Sequence, residues 1–451
     1  MSKLMIGISG VRGVVGENLT PELLVNLGQA FGTWTESGKV VVGRDTRASG
    51  DMVKHAVFSG LLSAGCRIVD VGVCGTPSAA MMIRKLGADG GIVISASHNT
   101  IEWNALKFFR NDGVYMTGEQ GRQLLDIYYG GDSIKVGHDK LHAVETNDGA
   151  IENHLSRVLD IVDVAALKKR RFRVAVDCCN GAGSVLALEF LKRTGCEPIP
   201  IDCEMNGLFP RNPEPTRDHV TAILDVVKKA GADLGFAQDA DADRVAFISE
   251  KGDYIGEEYS LALAARYRLS QKRGPVVTNL STSRMVEDVA RMFDCEVFRT
   301  PVGEVNVAEM MLEKKAVIGG EGNGGVIDPR IHYGRDALTG AALILQYMLE
   351  TGRPISDLAA EIPVYQMSKQ KVECSRRSVA SVFKTIAEEK AVRVDTQDGV
   401  KLDFEDGWVH IRPSNTEPIV RVYAEAITAS EADRLANHYR ELVEKLVKAS
   451  K

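Results

Sequence analysis

Residues 91–99 read Gly91-Ile92-Val93-Ile94-Ser95-Ala96-Ser97-His98-Asn99, a β-branched apolar run that stops in small polar residues and one histidine. The run has the character of a buried strand. Ser97 therefore falls where a strand ends and the chain turns outward, which is where open α/β sheets place their chemistry. Two readings fit these residues. Either Ser97 carries a phosphoryl group, or Ser97 and Asn99 hydrogen-bond the backbone in a serine-type turn.

Working outward, the same strand-and-helix alternation extends in both directions. Thr20-Pro21-Glu22 offers a capping hydroxyl, a proline at the first helical position and an acid in the first turn, with Leu23, Leu24, Leu27 and Phe31 as an apolar face. A strand over 39–43 runs into Arg44-Asp45-Thr46-Arg47, whose arginines either bind phosphate or pair with Asp45 to brace a turn. A helix around 52–64, a strand over 67–71 and a helix from Thr76-Pro77 to Leu86 follow. Strands alternating with helices predict parallel βαβ units. Similar openings recur near Arg173, leading to Asn180-Gly181-Ala182-Gly183, and near Gly274, leading to Ser281-Thr282-Ser283, so three related units in tandem are expected. The last stretch, with strands over 408–411 and 420–424 and a terminal helix, reads as a smaller α+β domain.

The 451 residues exceed one core and imply several domains. No segment reaches the roughly 18 apolar residues of a membrane span, and the start has neither the apolar core nor the cleavage site of a signal peptide. Cytoplasmic residence and no membrane partner are expected. A net charge of -6 argues against a general nucleic-acid binder but leaves room for basic residues around a small anionic substrate. The eight cysteines show no C-x-x-C spacing and read as buried thiols rather than zinc ligands.

The sharpest further signal is Asp239-Ala240-Asp241-Ala242-Asp243-Arg244, flanked by apolar strands. Three carboxylates at every second residue fall on one side of an extended chain. Crowding them is costly without a cation, and hard oxygen ligands suit magnesium. An EF-hand is ruled out because Arg244 stands where its glycine must be. An aspartyl nucleophile at Asp239 stays open, although the third aspartate favours coordination. Two glycine-rich loops follow, Thr300 to Glu304 and Gly319 to Gly325; the second lacks the helix start and downstream acid of a dinucleotide fingerprint, and Glu321 with Asn323 suits sugar hydroxyls. It also reads as a plain flexible turn. No P-loop is present. Arg412-Pro413-Ser414-Asn415-Thr416-Glu417-Pro418 with Arg421 is a phosphate cradle by composition, or a turn braced by an Arg412–Glu417 pair.

Taken together, these stretches resemble the alpha-D-phosphohexomutase family over essentially the whole chain, with four motifs in the family's order. The resemblance implies three similar α/β domains (1–150, 151–258, 259–367) and a smaller α+β domain (368–451) around a central cleft. It makes Ser97 a phosphoserine, and Asp239, Asp241 and Asp243 ligands of a magnesium ion completed by the phosphoserine oxygen. It gives Arg244, Gly303, Glu321 and Asn323 to the sugar, and Arg412, Ser414, Asn415, Thr416 and Arg421 to the phosphate that does not react. Arg12, Lys107 and His98 become candidates for proton handling or charge stabilisation. The implied reaction passes a phosphoryl group from Ser97 to a hexose phosphate and back through a 1,6-bisphosphate, which also serves as primer. A magnesium-dependent sugar phosphatase and a non-catalytic sugar-phosphate binder are the remote alternatives; a monomer or homodimer is expected.

The chain departs from the commonest family pattern at Thr100, where proline is usual, at Ala105 and Ala240, where glycine is usual, and at Asn323-Gly324-Gly325, where Ser-Gly-His is usual. The Gly320 to Gly325 form is similar to members that act on glucosamine phosphate, with the broad phosphomannomutase/phosphoglucomutase type as the alternative.

Overall fold

The computed structural model describes residues 4–7, 10–374, 379–414 and 419–449. The first sheet holds β1 (Met5–Gly7), β2 (Gly10–Val14), β3 (Lys39–Arg44), β4 (Arg67–Val73), β5 (Gly90–Ile94), β6 (Trp103–Arg110) and β7 (Glu145–Thr146), in the order β1-β2-β6-β5-β3-β4-β7. Strands β3, β4 and β5 are parallel, and β6 lies antiparallel to β5. The second sheet, β8 (Arg173–Asp177), β9 (Glu197–Ile201), β10 (Leu234–Gln238) and β11 (Val245–Ile248), has the order β11-β10-β8-β9. The third, β12 (Val276–Asn279), β13 (Val297–Thr300), β14 (Ile318–Glu321) and β15 (Gly325–Ile327), has the order β13-β12-β14-β15.

One topology underlies all three. In the runs β3–β6, β8–β11 and β12–β15 the first strand is central, the second pairs with it on one side and the third on the other, all parallel, and the fourth pairs antiparallel with the third; the first sheet adds β2 and β1 antiparallel beyond β6 and β7 beside β4. The expectation of purely parallel units is therefore corrected. The links before the fourth strand, residues 95–102, 239–244 and 322–324, are shorter than the roughly dozen residues a parallel crossover requires, so the chain can only turn back. Those three links carry Ser97, the aspartates and Asn323.

Local chemistry explains the helices that frame them. Helix Pro21–Trp34 starts at Thr20, whose side chain accepts from the Leu23 amide at 3.4 Å, and buries Leu24, Leu27 and Phe31. Helices Glu257–Gln271 and Ala337–Thr351 are buried over most of their surface, because both are enclosed between the second and third sheets and touch strands of each. The two middle units thus share one continuous core, whereas the first has cores of its own.

The fourth unit is the expected α+β domain. Strands β16 (Gln366–Glu373), β17 (Arg393–Asp395), β18 (Val400–Asp403), β19 (Gly407–Pro413) and β20 (Ile419–Ala426) form an antiparallel sheet in the order β16-β20-β19-β18-β17. Helices Val379–Ile386 and Ala429–Ala449 pack on it over a separate core. Six of the eight free cysteines are buried. Among the described residues no helix is long and apolar enough to cross a membrane.

Candidate active site

Ser97 sits in the link after β5 with its backbone in the left-handed region, φ 50°. That conformation costs a non-glycine residue roughly 1–2 kcal/mol, so the surroundings must impose it. Arg47 does so. Its Nη2 donates to the carbonyls of Ser97 (2.8 Å) and Asn99 (2.7 Å), and its Nη1 to those of Thr100 (2.6 Å) and Trp103 (3.0 Å). Arg47 Nε bonds Asp45 Oδ2 at 3.0 Å, and the same oxygen accepts from Ser95 Oγ at 2.7 Å. Both members of this pair are fully buried. Of the two readings of these arginines, Arg47 braces the serine loop, while Arg44 pairs with Asp51 at 2.9 Å. The turn serine is Ser95, whose Oγ accepts from the Ser97 amide at 2.9 Å; Ser97 Oγ is left to donate to Asp239 Oδ2 at 2.9 Å.

Asp239, Asp241 and Asp243 lie in the equivalent link after β10, all buried. They converge through a turn and not along an extended chain, which corrects the expected geometry. Ala242 is left-handed (φ 58°), and the amides of Asp243 and Arg244 both donate to Asp239 Oδ1, at 3.0 and 3.1 Å. Curling in this way brings one oxygen of each carboxylate within 4.8 Å of the others. Lys107 Nζ lies 2.5 Å from Asp241 Oδ2 and 3.6 Å from Asp243 Oδ2, and the Thr76 hydroxyl also donates to Asp241.

These charges shift one another. Burial, then the charges of Asp243 and Asp241, push Asp239 well above the usual carboxylate range. Burial pushes Asp241 up, but the charge and hydrogen bond of Lys107 together with hydrogen bonds to Thr76 and Asp239 hold that carboxyl below the range. Burial opposes the Lys107 ammonium, and the surrounding groups, Asp241 foremost with Tyr115 and Asp243, together keep it charged. Asp241 Oδ1 and Asp243 Oδ1 are buried without a hydrogen-bond partner. Unsatisfied anionic oxygens inside a protein are expensive, and a hard divalent cation is what three converging carboxylates satisfy. The residues present fit magnesium.

The sugar-loop candidates lie across the same cleft. Glu321 Oε1 accepts from Asn279 Nδ2 (2.7 Å) and the Gly303 amide (3.2 Å); Oε2 accepts from Arg335 Nη1 (2.6 Å) and Asn323 Nδ2 (3.4 Å). Arg244 Nη1 reaches Glu214 at 3.2 Å. His98 Nδ1 is buried without a partner, and burial with the charges of Arg244, Arg12 and Arg335 keeps the ring neutral. The Arg12 guanidinium donates to Asn99 Oδ1.

In the fourth unit Arg412 Nε pairs with Asp398 Oδ2 at 2.8 Å, and that oxygen also accepts from the Val302 amide at 3.0 Å, tying the last sheet to the third. Arg421 Nη1 donates to the Tyr423 hydroxyl at 3.0 Å. Ser414 follows β19, its amide donating to the Ile419 carbonyl at 2.9 Å. Asn415, Thr416 and Glu417 lie outside the described residues.

One cleft of about 470 Å³ is lined by Arg12, Ser97, His98, Lys107, Arg244, Gly303, Glu321, Asn323, Arg412 and Arg421. Four sheets contribute to it. Sequence reasoning missed Arg335, Asn279, Thr76 and Glu258. Thr76-Pro77 announced only a helix start, Gly334-Arg335-Asp336 carried no spacing signal, and Asn279 looked like an ordinary strand end. Burial raises Glu258, whose Oε2 accepts from the Ser283 amide at 3.0 Å, to about 8.

Family models match the chain in four consecutive parts. They are described as phosphoglucomutase/phosphomannomutase alpha/beta/alpha domains I (residues 3–135), II (152–252) and III (256–365), and the C-terminal domain (371–442). A Thermococcus kodakarensis protein named phosphoglucomutase/phosphomannomutase is 40% identical over 99% of both chains. A Methanopyrus kandleri protein named "Probable phosphoglucosamine mutase" is 39% identical over 98% of both. The solved structure of a Burkholderia thailandensis phosphoglucomutase/phosphomannomutase family protein is similar with a TM-score of 0.86 at 25% identity, covering 98% of this chain and 97% of the other.

Proposed function

The chain belongs to the phosphoglucomutase/phosphomannomutase family, and from that premise we propose that it is a phosphohexomutase interconverting glucosamine 6-phosphate and glucosamine 1-phosphate. Ser97 carries the transferable phosphoryl group. Its phosphorus–oxygen bond breaks as the free hydroxyl of the sugar phosphate bonds to phosphorus and gives up its proton, leaving a bisphosphate. The bisphosphate turns over in the cleft and returns its other phosphate to Ser97. Magnesium held by Asp239, Asp241, Asp243 and the phosphoserine would neutralise charge on the transferring group.

The remaining roles rest on this chain's own groups. The charged Lys107 and Arg12 offset the phosphoryl oxygens, and the neutral His98 takes up the hydroxyl proton. Arg244, Gly303, Glu321 and Asn323 hold the sugar; Arg412, Ser414, Asn415, Thr416 and Arg421 hold the phosphate that stays. The protein would work in the cytoplasm as a monomer or homodimer.

The observation that carries the reading is the 2.9 Å contact between Ser97 Oγ and Asp239 Oδ2 inside a cleft shared with Glu321 and Arg412. A broad hexose phosphomutase is the second reading, favoured by the relative at 40% identity that bears that name. The test compares kcat/KM for glucosamine, glucose and mannose phosphates with magnesium and the matching bisphosphate primer. Preference for the amino sugar above about tenfold, ~1.4 kcal/mol of transition-state discrimination, supports the first reading; equal rates support the second.

A further inference from the structure

Arg335 sits where three loops meet. Its own position is fixed from both sides: its amide donates to Glu304 Oε1 at 2.8 Å, and the next residue, Asp336, accepts from the Leu338 amide at 2.9 Å as cap of helix Ala337–Thr351. The residue is only 8% exposed. Its aliphatic stem lies in the space of the side chain that Gly325 lacks, since a Cβ at 325 would collide with Arg335 Cδ. Glycine at 325 and arginine at 335 therefore form a steric pair.

The guanidinium then spans three carboxylates. Nη2 bonds Asp243 Oδ2 at 2.7 Å, Nη1 bonds Glu321 Oε2 at 2.6 Å, and Nε lies 3.1 Å from Glu304 Oε2. Asp243 belongs to the link after β10, and Glu321 ends β14. With Oδ2 held, Asp243 has Oδ1 as its oxygen without a hydrogen bond, 3.7 Å from Arg244 Nε. A guanidinium is a rigid planar fork, so its two arms cannot follow their carboxylates independently.

We propose that Arg335 is a positioning residue that couples cation binding at the aspartate cluster to sugar-phosphate binding at the Glu321 loop, each ligand raising affinity for the other. The coupling is reciprocal by linkage. It rests on the reading of the aspartates as a cation site and of Glu321 as a sugar contact.

The test uses the full-length, dephosphorylated protein, which does not turn over. Manganese affinity is measured by electron paramagnetic resonance, and glucosamine 6-phosphate affinity by calorimetry with and without magnesium. In the parent protein magnesium is expected to tighten sugar-phosphate binding about fivefold or more, within the usual span of coupling. Arg335→Met should bring that ratio to about one and weaken manganese about tenfold, the usual cost of losing a group that orients a metal ligand. Gly325→Ala, which displaces the same side chain while keeping its charge, should lose the coupling too, and it decides the matter if Arg335→Met does not fold. Arg335→Lys, keeping charge without the fork, should not restore the ratio. An unchanged ratio in both Arg335→Met and Gly325→Ala overturns the proposal. Failure of the parent to bind glucosamine 6-phosphate counts against the substrate reading instead; the manganese arm needs no sugar, and unchanged affinity there overturns the positioning role by itself.

Discussion

Ser97 Oγ donates a 2.9 Å hydrogen bond to Asp239 Oδ2, joining residues 142 positions apart in the chain. The two occupy equivalent links in the first and second repeated units, so docking those units places the hydroxyl against the carboxylate cluster. Ser97→Ala is therefore expected to lower kcat by at least about a thousandfold while substrate affinity changes little. Transfer of label from a ³²P-bisphosphate to the protein should vanish in the same variant. Retained turnover in Ser97→Ala would refute the serine's role.

Removing divalent metal should abolish turnover, and adding magnesium back should restore it. The two buried oxygens without a hydrogen bond, Asp241 Oδ1 and Asp243 Oδ1, also predict a folding effect. An ion that binds only the folded chain stabilises it by mass action, about 2.7 kcal/mol at a hundred times its dissociation constant. Calorimetric melting with and without magnesium measures this, and an unshifted Tm would argue against the cluster as a cation site.

Arg47 is fully buried, and it holds three carbonyls of the serine loop and that of Trp103 just beyond it while pairing with the buried Asp45. Arg47→Ala leaves a buried carboxylate unpaired and should cost about 3–5 kcal/mol of stability by urea unfolding. Arg47→Lys restores a charge without the fork. It should recover part of the stability while kcat stays low, because one ammonium cannot hold the loop's carbonyls as the planar guanidinium does.

Acid should unfold the protein partly through His332. Burial lowers this imidazole to about 4 despite Asp336 nearby at 3.9 Å, and neither ring nitrogen has a hydrogen-bond partner. The unfolded chain takes up the proton first, near pH 6.5. The folded state thus keeps its full margin above that pH and loses up to about 3 kcal/mol as pH falls toward 4. His332→Gln, which does not titrate, should show a shallower fall in Tm between pH 7 and 4.5; an identical slope would remove His332 from the account.

Much of the architecture was legible along the chain. Helix Pro21–Trp34 begins at the capping Thr20, β5 ends before Ser95, and the openings at Arg173 and Gly274 mark β8 and β12. Such signals survive because caps, turns and apolar periodicity act over a few residues. The parallel expectation failed at the fourth strand of each unit, where the shortness of a link outweighs the alternation of elements. At the site, Ser97 and the acidic run stood out because a strand end and a charge cluster are local features. Arg335, Asn279 and the Asp398–Arg412 pair did not, since each acquires its partner from another loop.

The sequence by itself determined the α/β class, the threefold recurrence with a different last unit, and the residue types on the short links: a serine, three aspartates, an asparagine. Only the tertiary structure decided that these links face one cleft, that Arg47 braces and does not bind, that the aspartates meet through a turn, and that Gly325 leaves room for Arg335. The physical reason is one of range. Propensity and link length are read from neighbours, whereas a buried charge takes its meaning from whatever packing brings against it, and here that packing is the core shared by the two middle units and the docking of the first and last upon them.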